Sequence, residues 1–130
     1  MGAWGTAAFD NDDASDWVYD LEARGMAAVE SALAAASGAS DLVTPIDTNV
    51  IAAGEVIAAA LGQPVPGLRQ DVYELVDALA SSITSDHAAR ARVAVERVLA
   101  RSEIADRWDE SVEDVEWRRS VGDLVRRLVP

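Results

Sequence analysis

The stretch that decides the fold is DNDDASDWVYDLEARG, residues 10–25. Its apolar residues Ala14, Trp17, Val18 and Leu21 are spaced i, i+3, i+4 and i+7, which places them on one face of an α-helix. Four Asp and Asn residues precede that face, and these types are preferred where a helix begins. Gly25 is a typical helix end. The stretch therefore predicts an amphipathic helix that starts and stops within it.

The same pattern recurs up to a Pro- and Gly-rich stretch at 63–67. A second helix is predicted from Met26 to Gly38, and a third begins after Pro45, because proline excludes the helical conformation from the residue before it. Asp47 or Thr48 is the predicted cap of the third helix, which ends at Gly62.

The second half of the chain continues in the same way. The apolar stripe from Leu68 to Ile83 predicts a fourth helix, and Ser85 or Asp86 would cap a fifth. A short segment carries Ile104 and Trp108 one turn apart. The last helix is predicted from about Val112, with these residues inward: Trp117, Val121, Leu124, Val125 and Leu128.

Helices of this length joined by short loops favour an all-α, compact single-domain bundle of about six helices. The domain is predicted to span residues 1–130, with the loop at 63–67 between its halves. Residues 1–9 are predicted to fold back onto the bundle as a plug, through Trp4 and Phe9. Trp17 and Trp117 lie on apolar stripes and are predicted to be core residues.

Composition excludes several kinds of site. The chain has no Cys and no Lys, and His87 is its single histidine. Disulfides, thiolate metal sites and a multi-histidine metal cage are therefore excluded. A Ser-His-Asp site would have to use His87, which is expected instead to be a neutral surface residue in the first turn of the fifth helix.

Charge narrows the choice of partners. Eleven basic residues against 23 acidic ones give a net charge of -12, which argues against nucleic acid and anionic membrane surfaces. Residues 1–68 hold ten acids and one Arg, so the first half could attract a basic protein or a divalent cation.

The most apolar stretch, Val50–Leu61, is too short for a bilayer and contains Glu55. A cytoplasmic protein is expected, and the Lys-free, Ala- and Arg-rich composition suggests a GC-rich bacterial gene.

The N-terminal stretch resembles a known family. MGAWG at 1–5, FDNDDA at 9–14 and DW at 16–17 are similar to the signature of DUF4259, a bacterial family of unknown function. The resemblance implies a helical domain of about this length. It implies no activity, cofactor or catalytic residue.

The acidic opening supplies the candidate binding residues, which are Trp4, Asp10, Asn11, Asp12, Asp13, Asp16 and Asp20. In one interpretation the Asp and Asn residues at 10–13 cap the first helix, the acids among them complement its positive end, and Asp20 pairs with Arg24 at i+4. In another, the ridge of like charges contacts a partner, a cation or an internal Arg.

The spacing of the acidic residues also suggests metal-binding motifs. D-D-x-x-D at 12–16 matches a magnesium-diphosphate motif, and all-α nucleotide pyrophosphatases hold magnesium with E-x-x-E and E-x-x-D pairs. Pairs with that spacing occur at Asp71–Glu74, Glu103–Asp106 and Glu110–Glu113. Chance and the amphipathicity of helices largely explain how many such pairs the chain contains. A calcium loop starting at Asp10 fails, because Ala14 replaces the third ligand, Ser15 stands where glycine is needed and Leu21 replaces the closing glutamate.

The first hypothesis is a non-enzymatic, cytosolic helical module that binds another macromolecule, a basic protein, through its acidic N-terminal face. It requires no cofactor and no metal ion. The alternative is a Mg²⁺- or Mn²⁺-dependent phosphohydrolase of the all-α nucleotide pyrophosphatase type. The sequence leaves the biological process and the oligomeric state open.

Overall fold

The computed structural model describes residues 8–9, 12–109 and 114–129. This part of the chain contains seven α-helices, one 3-10 turn at Ala80–Ser82 and no β-strand. The helices are α1 (Asp12–Arg24), α2 (Met26–Gly38), α3 (Ile46–Ala60), α4 (Gln70–Leu79), α5 (Ser85–Ala100), α6 (Glu103–Asp109) and α7 (Asp114–Arg127). The all-α prediction is confirmed.

Gly25 alone separates α1 from α2. Its φ of +58° lies in the left-handed region, which glycine adopts without the steric cost of a Cβ atom. The Gly25 N–H donates to the carbonyl of Leu21 at 2.8 Å, which closes the last turn of α1. The predicted helix end is confirmed, and it turns the chain without a connecting loop.

The third helix forms the centre of the bundle. It packs against α1, α2, α4, α5, α6 and α7, and all of its residues from Val50 to Ala58 are buried. A Cβ atom at Gly54 would lie 3.1 Å from Leu124 Cδ2 and 3.2 Å from Val95 Cγ2. The absence of a side chain there lets α5 and α7 approach α3 closely.

The other helices contribute one apolar face each. In α1 the buried residues are the four predicted ones, Ala14, Trp17, Val18 and Leu21. Trp17 and Trp117 are both 4% exposed, which confirms them as core residues, and Phe9 is 6% exposed. The side chain of Trp108 lies outside the described part of the structure.

Several predicted boundaries are wrong. Leu68 and Ile83 are buried as the stripe requires, but they flank α4, which gives way to the 3-10 turn after Leu79. The N-cap of α5 is Thr84 rather than Ser85 or Asp86. The short segment around Ile104, in contrast, is the helix α6, and Ser102 accepts a hydrogen bond from the Ala105 N–H where this helix begins.

Two arginines donate to carbonyl groups near the C-terminal ends of helices. Arg97 donates to the carbonyl of Ala36 in the last turn of α2 at 2.6 Å and to that of Ala39, just beyond the helix, at 2.9 Å. Arg118 of α7 donates to the carbonyl of Leu99 in α5. Cations at helix C-termini also complement the helix dipole. In the described part of the chain, none of the helices has the length and apolarity that a bilayer span requires.

Candidate functional site

The outer face of α1 carries the sequence-predicted acids that the structure describes. Because the inner face is fixed by buried side chains, the opposite face must point to solvent. Asp12 and Asp16 are exposed, and Tyr19 is 72% exposed. These three positions fall within an arc of about 60° on a helix of 3.6 residues per turn. We call Asp12, Asp16 and Tyr19 the acidic stripe.

The carboxylates of the stripe are not neutralised within the described part of the structure. Neither Asp12 nor Asp16 has an ion pair or hydrogen bond there, and the half-buried Asp13 beside them has none either. Like charges one helical turn apart repel each other mildly in an isolated helix. The stripe therefore presents two free negative charges and one exposed aromatic ring.

Asp20 differs from the other acids. Arg24 donates to both of its carboxylate oxygens, at 2.7 and 2.8 Å. These hydrogen bonds to Arg24 hold the pKa of the Asp20 carboxyl below its ordinary value. The predicted i, i+4 pair is confirmed, so Asp20 is already neutralised and lies at the side of the stripe.

An arginine does reach α1 from elsewhere in the chain. Arg69, just before α4, lies 3.3 Å from the hydroxyl of Ser15 through its Nη1. Its other nitrogens donate to Asp71 at 3.1 and 2.6 Å, and this pairing lowers the pKa of the Asp71 carboxyl. Arg69 therefore leaves the charge of the stripe uncompensated.

Trp4, Asp10 and Asn11 lie outside the described residues, as do Glu110 and Glu113 of the spacing-based metal pairs. Asp71 is engaged by Arg69, and the carboxylate of Glu103 accepts the Thr44 N–H at 2.9 Å. Within the described ranges no three His, Asp or Glu side chains converge as metal ligands would.

Sequence reasoning missed the environment of His87. Its side chain is 12% exposed, so the expectation of a surface residue is wrong. Nδ1 accepts the Thr84 N–H at 3.0 Å, which assigns the proton of the neutral ring to Nε2, 2.8 Å from the Glu30 carboxylate. Hydrogen bonds from His87, the larger cause, and from Arg90 lower the pKa of the Glu30 carboxyl. The i, i+3 spacing of Thr84 and His87 was the one local signal for this arrangement.

Asp47 is a second missed group. It is fully buried in the first turn of α3, whose cap is Pro45 rather than Asp47 or Thr48. Its carboxylate accepts the N–H groups of Thr48 at 2.7 Å and Ile104 at 2.8 Å, which ties the start of α3 to the start of α6. Burial raises the pKa of the Asp47 carboxyl, although these hydrogen bonds act in the opposite direction.

Glu55 and Arg127 form a buried ion pair between α3 and α7. The two side chains are 3% and 11% exposed, and two guanidinium nitrogens lie 2.9 and 3.0 Å from the two carboxylate oxygens. Arg127 also donates to Asp123 and to the carbonyl of Gln63. The pair joins residues 72 positions apart, and no local pattern in the sequence indicated it. It cross-links the bundle and leaves Glu55 unavailable for chemistry.

The family model described as "Domain of unknown function (DUF4259)" matches residues 2–120 of the chain. The protein therefore belongs to this family, as its N-terminal residues had suggested. Neither a curated protein nor a solved structure matches the chain.

Proposed function

We propose that this DUF4259 chain is a small helical interaction module that binds a basic protein through the acidic stripe on α1. The observation that carries the proposal is the 72% exposure of Tyr19 in line with two carboxylates that have no partner among the described residues. Tyrosine is enriched in protein interfaces because its flat ring combines apolar area with a polar tip.

The chemistry of the stripe favours arginine on the partner. A guanidinium group can pair with a carboxylate through two hydrogen bonds and can also lie over an aromatic ring. Seven residues of helix separate Asp12 from Tyr19, roughly 10 Å, which a short basic segment spans. The net charge of -12 would speed encounter with such a segment at low salt.

The first experiment measures binding of an arginine-rich peptide and of its lysine counterpart. We expect the Asp12→Asn/Asp16→Asn variant to lose about five- to tenfold in affinity for the arginine peptide, the equivalent of about 1–1.4 kcal/mol. Tyr19→Ala should reduce affinity by a similar factor or more, and should reduce the preference for arginine over lysine.

The matched control is Asp41→Asn/Asp77→Asn, which removes two exposed acids away from α1 and changes net charge equally. If this control weakens binding as much as the stripe variant does, attraction is a general property of net charge and the proposed site is wrong. A photo-crosslinking residue at position 19 then identifies the natural partner in cells. Capture that persists in the Asp12→Asn/Asp16→Asn background would likewise contradict the proposal.

We further propose a bacterial, cytoplasmic setting. The chain contains no cysteine, so its folding does not depend on an oxidising compartment. Its lysine-free, arginine-containing composition is typical of GC-rich bacterial genes. Fractionation of the native host, with the protein found outside the cytosolic fraction, would contradict this setting.

A further inference from the structure

The side of α5 that points away from the core carries charged and apolar residues in a fixed order. Asp86, Ala89, Val93 and Arg97 all lie within about 40° of Val93 around the helix. Val93 is 59% exposed, and the side chain of Asp86 is 78% exposed. We call these four residues the α5 face. It has a negative end, an apolar middle and a positive end.

A groove of about 750 Å³ runs beside Val93, between α5 and α2. The buried residues Leu33 and Ala94 line it. On the α2 side its exposed lining residues are all small: Ala34, Ser37 and Gly38. The distance between two packed helices depends on the side chains at their contact, so these small residues leave room for a further helix to approach closely.

The two charged ends of the α5 face are available for a partner. Arg97 donates to two backbone carbonyls at the end of α2, and it has no carboxylate partner in the part of the chain that the structure describes. Asp86 lies 3.9 Å from Arg90, whose Nη1 already donates to Glu30 at 3.0 Å. The face therefore presents one carboxylate and one guanidinium group, which lie eleven positions apart on α5.

A face with opposite charges at its two ends is complementary to itself when a second copy lies antiparallel. Asp86 of each copy then faces Arg97 of the other, whereas a parallel arrangement would bring like charges together. The midpoint of positions 86 and 97 and the midpoint of Ala89 and Val93 differ by half a residue, about 0.75 Å along the helix. One two-fold axis therefore pairs the charges and also packs Val93 against the small Ala89 of the second copy.

We propose that the α5 face binds a second copy of this chain in antiparallel orientation, which gives a two-fold symmetric dimer. Both halves of the contact are present on one chain, and this favours a second copy over an unrelated partner. The same surface is used by both copies, so the assembly closes at two. The net charge of -12 on each copy opposes association, so we expect a reversible dimer whose end charges set its orientation.

Sedimentation equilibrium of the full chain at physiological ionic strength tests for this dimer. We expect a monomer–dimer equilibrium for the wild type. Val93→Asp should weaken it at least about tenfold, because an unpaired charge would be buried at the centre of the contact. Val115→Asp is the matched control, since it changes the net charge equally at a valine of α7 that is 64% exposed, and it should associate like the wild type.

Charge reversal tests the antiparallel orientation. Asp86→Arg and Arg97→Asp should each weaken self-association, because each brings like charges together at both ends of the contact. An equimolar mixture of the two variants should restore the dimer, since one copy then has two basic groups and the other two acidic groups at these positions. Asp77→Arg, at an exposed acid of α4, controls for the change in net charge.

Circular dichroism checks the fold of Arg97→Asp, because this variant also loses the hydrogen bonds to α2. If it does not fold, the comparison of Val93→Asp with Val115→Asp decides the outcome alone. Asp12→Asn/Asp16→Asn should dimerise like the wild type, because the acidic stripe belongs to α1. Loss of the dimer in that variant would place the contact on α1 and contradict the inference.

Three further results overturn the inference. The first is a wild-type chain that stays monomeric up to about 1 mM, or that forms species larger than a dimer. The second is an equal effect of Val93→Asp and Val115→Asp. The third is a mixture of folded Asp86→Arg and Arg97→Asp chains that associates no better than either variant alone.

Discussion

Arg127 illustrates how a single residue can govern the stability of this bundle. Its guanidinium group lies between Glu55 and Asp123 and also donates to the Gln63 carbonyl, so it connects α3, the following loop and α7. Burial alone would lower the pKa of Arg127, but the hydrogen bonds to Glu55 and Asp123 raise it. Arg127 therefore stays charged in the interior.

Replacing Arg127 by Met should lower the free energy of unfolding by about 3–5 kcal/mol, because the buried Glu55 carboxylate loses its counter-charge. Urea denaturation measures the loss. The neighbouring Arg126→Met is the control, since that side chain is 75% exposed and should cost less than about 0.5 kcal/mol. Equal losses in the two variants would contradict the argument, and Glu55→Gln in the Arg127→Met background should restore part of the stability.

Glu30 gives a prediction on pH. Hydrogen bonds from His87 and Arg90 hold its pKa below that of an unfolded glutamate. The interactions of Glu30 with His87 and Arg90 therefore contribute their full stability above the pKa of Glu30 in the unfolded chain. That contribution is lost as the pH falls through the pKa of Glu30 in the folded protein. Because the Glu30 side chain is 46% exposed, we expect less than about 1 kcal/mol.

The stability of Glu30→Gln should accordingly fall below that of the wild type near pH 7, and the two should converge as the pH falls through the lowered pKa of the Glu30 carboxyl. Chemical denaturation across this range measures both curves. Glu96→Gln, an exposed residue of α5 with only a 3.7 Å ion pair to Arg92, is the control and should show little difference at any pH. A Glu30→Gln deficit that persists in acid would mean that shape, rather than charge, matters at this position.

At the scale of the elements, Gly54 and Gly122, which both lie in helix interiors, have opposite surroundings. A methyl group at Gly54 would press on Leu124 and Val95, whereas nothing lies within 4 Å of a methyl group at Gly122. Alanine is favoured over glycine within a helix by about 1 kcal/mol, but overpacking a core costs about 1–3 kcal/mol.

We therefore expect Gly122→Ala to stabilise the protein by about 0.5–1 kcal/mol and Gly54→Ala to destabilise it by up to about 2 kcal/mol. Thermal unfolding of the two variants checks the opposite signs. A gain in stability for Gly54→Ala would show that Leu124 and Val95 can move aside, and that α3 does not need glycine to pack centrally.

The elements also show how far local patterns reach. The inner face of α1, the turn at Gly25 and the Asp20–Arg24 pair were predicted from spacing and are confirmed. The stripe from Leu68 to Ile83 predicted burial correctly but continued the helix too far. The periodicity of apolar residues indicates which residues face the core. It does not distinguish an α-helix from a flanking turn whose apolar residues also face the core.

At the scale of the whole molecule, the net charge of -12 means that folding brings like charges together. Sodium chloride should raise the melting temperature by screening this repulsion. If the acidic stripe binds a basic protein and no metal ion, magnesium or manganese chloride at the same ionic strength should raise it equally.

The alternative hypothesis of a metal-dependent phosphohydrolase predicts a different result. A bound divalent ion at 100 times its Kd would add about 2.7 kcal/mol, and therefore several degrees beyond the effect of sodium chloride. That excess should disappear in Asp12→Asn/Asp16→Asn if these acids hold the metal. Melting curves with chelator, sodium and magnesium decide between the two hypotheses.

The sequence by itself determined the helical class, the ends of α1 and α2 at Gly25 and Gly38, the buried face of α1 and the acidity of its outer face. These features depend on residues within about one helical turn of each other, so the spacing and the types of those residues determine them directly. It also identified the family. The exposure of Tyr19 follows from the same spacing, although Tyr19 is not among the residues that the sequence predicted to bind a partner.

Only the tertiary structure decided which polar groups meet inside the bundle. His87 meets Glu30 and Asp47 meets Ile104 across 57 positions, and Glu55 meets Arg127 across 72. Such partners are fixed by how the helices pack around α3, and periodicity along one helix carries no information about its neighbours.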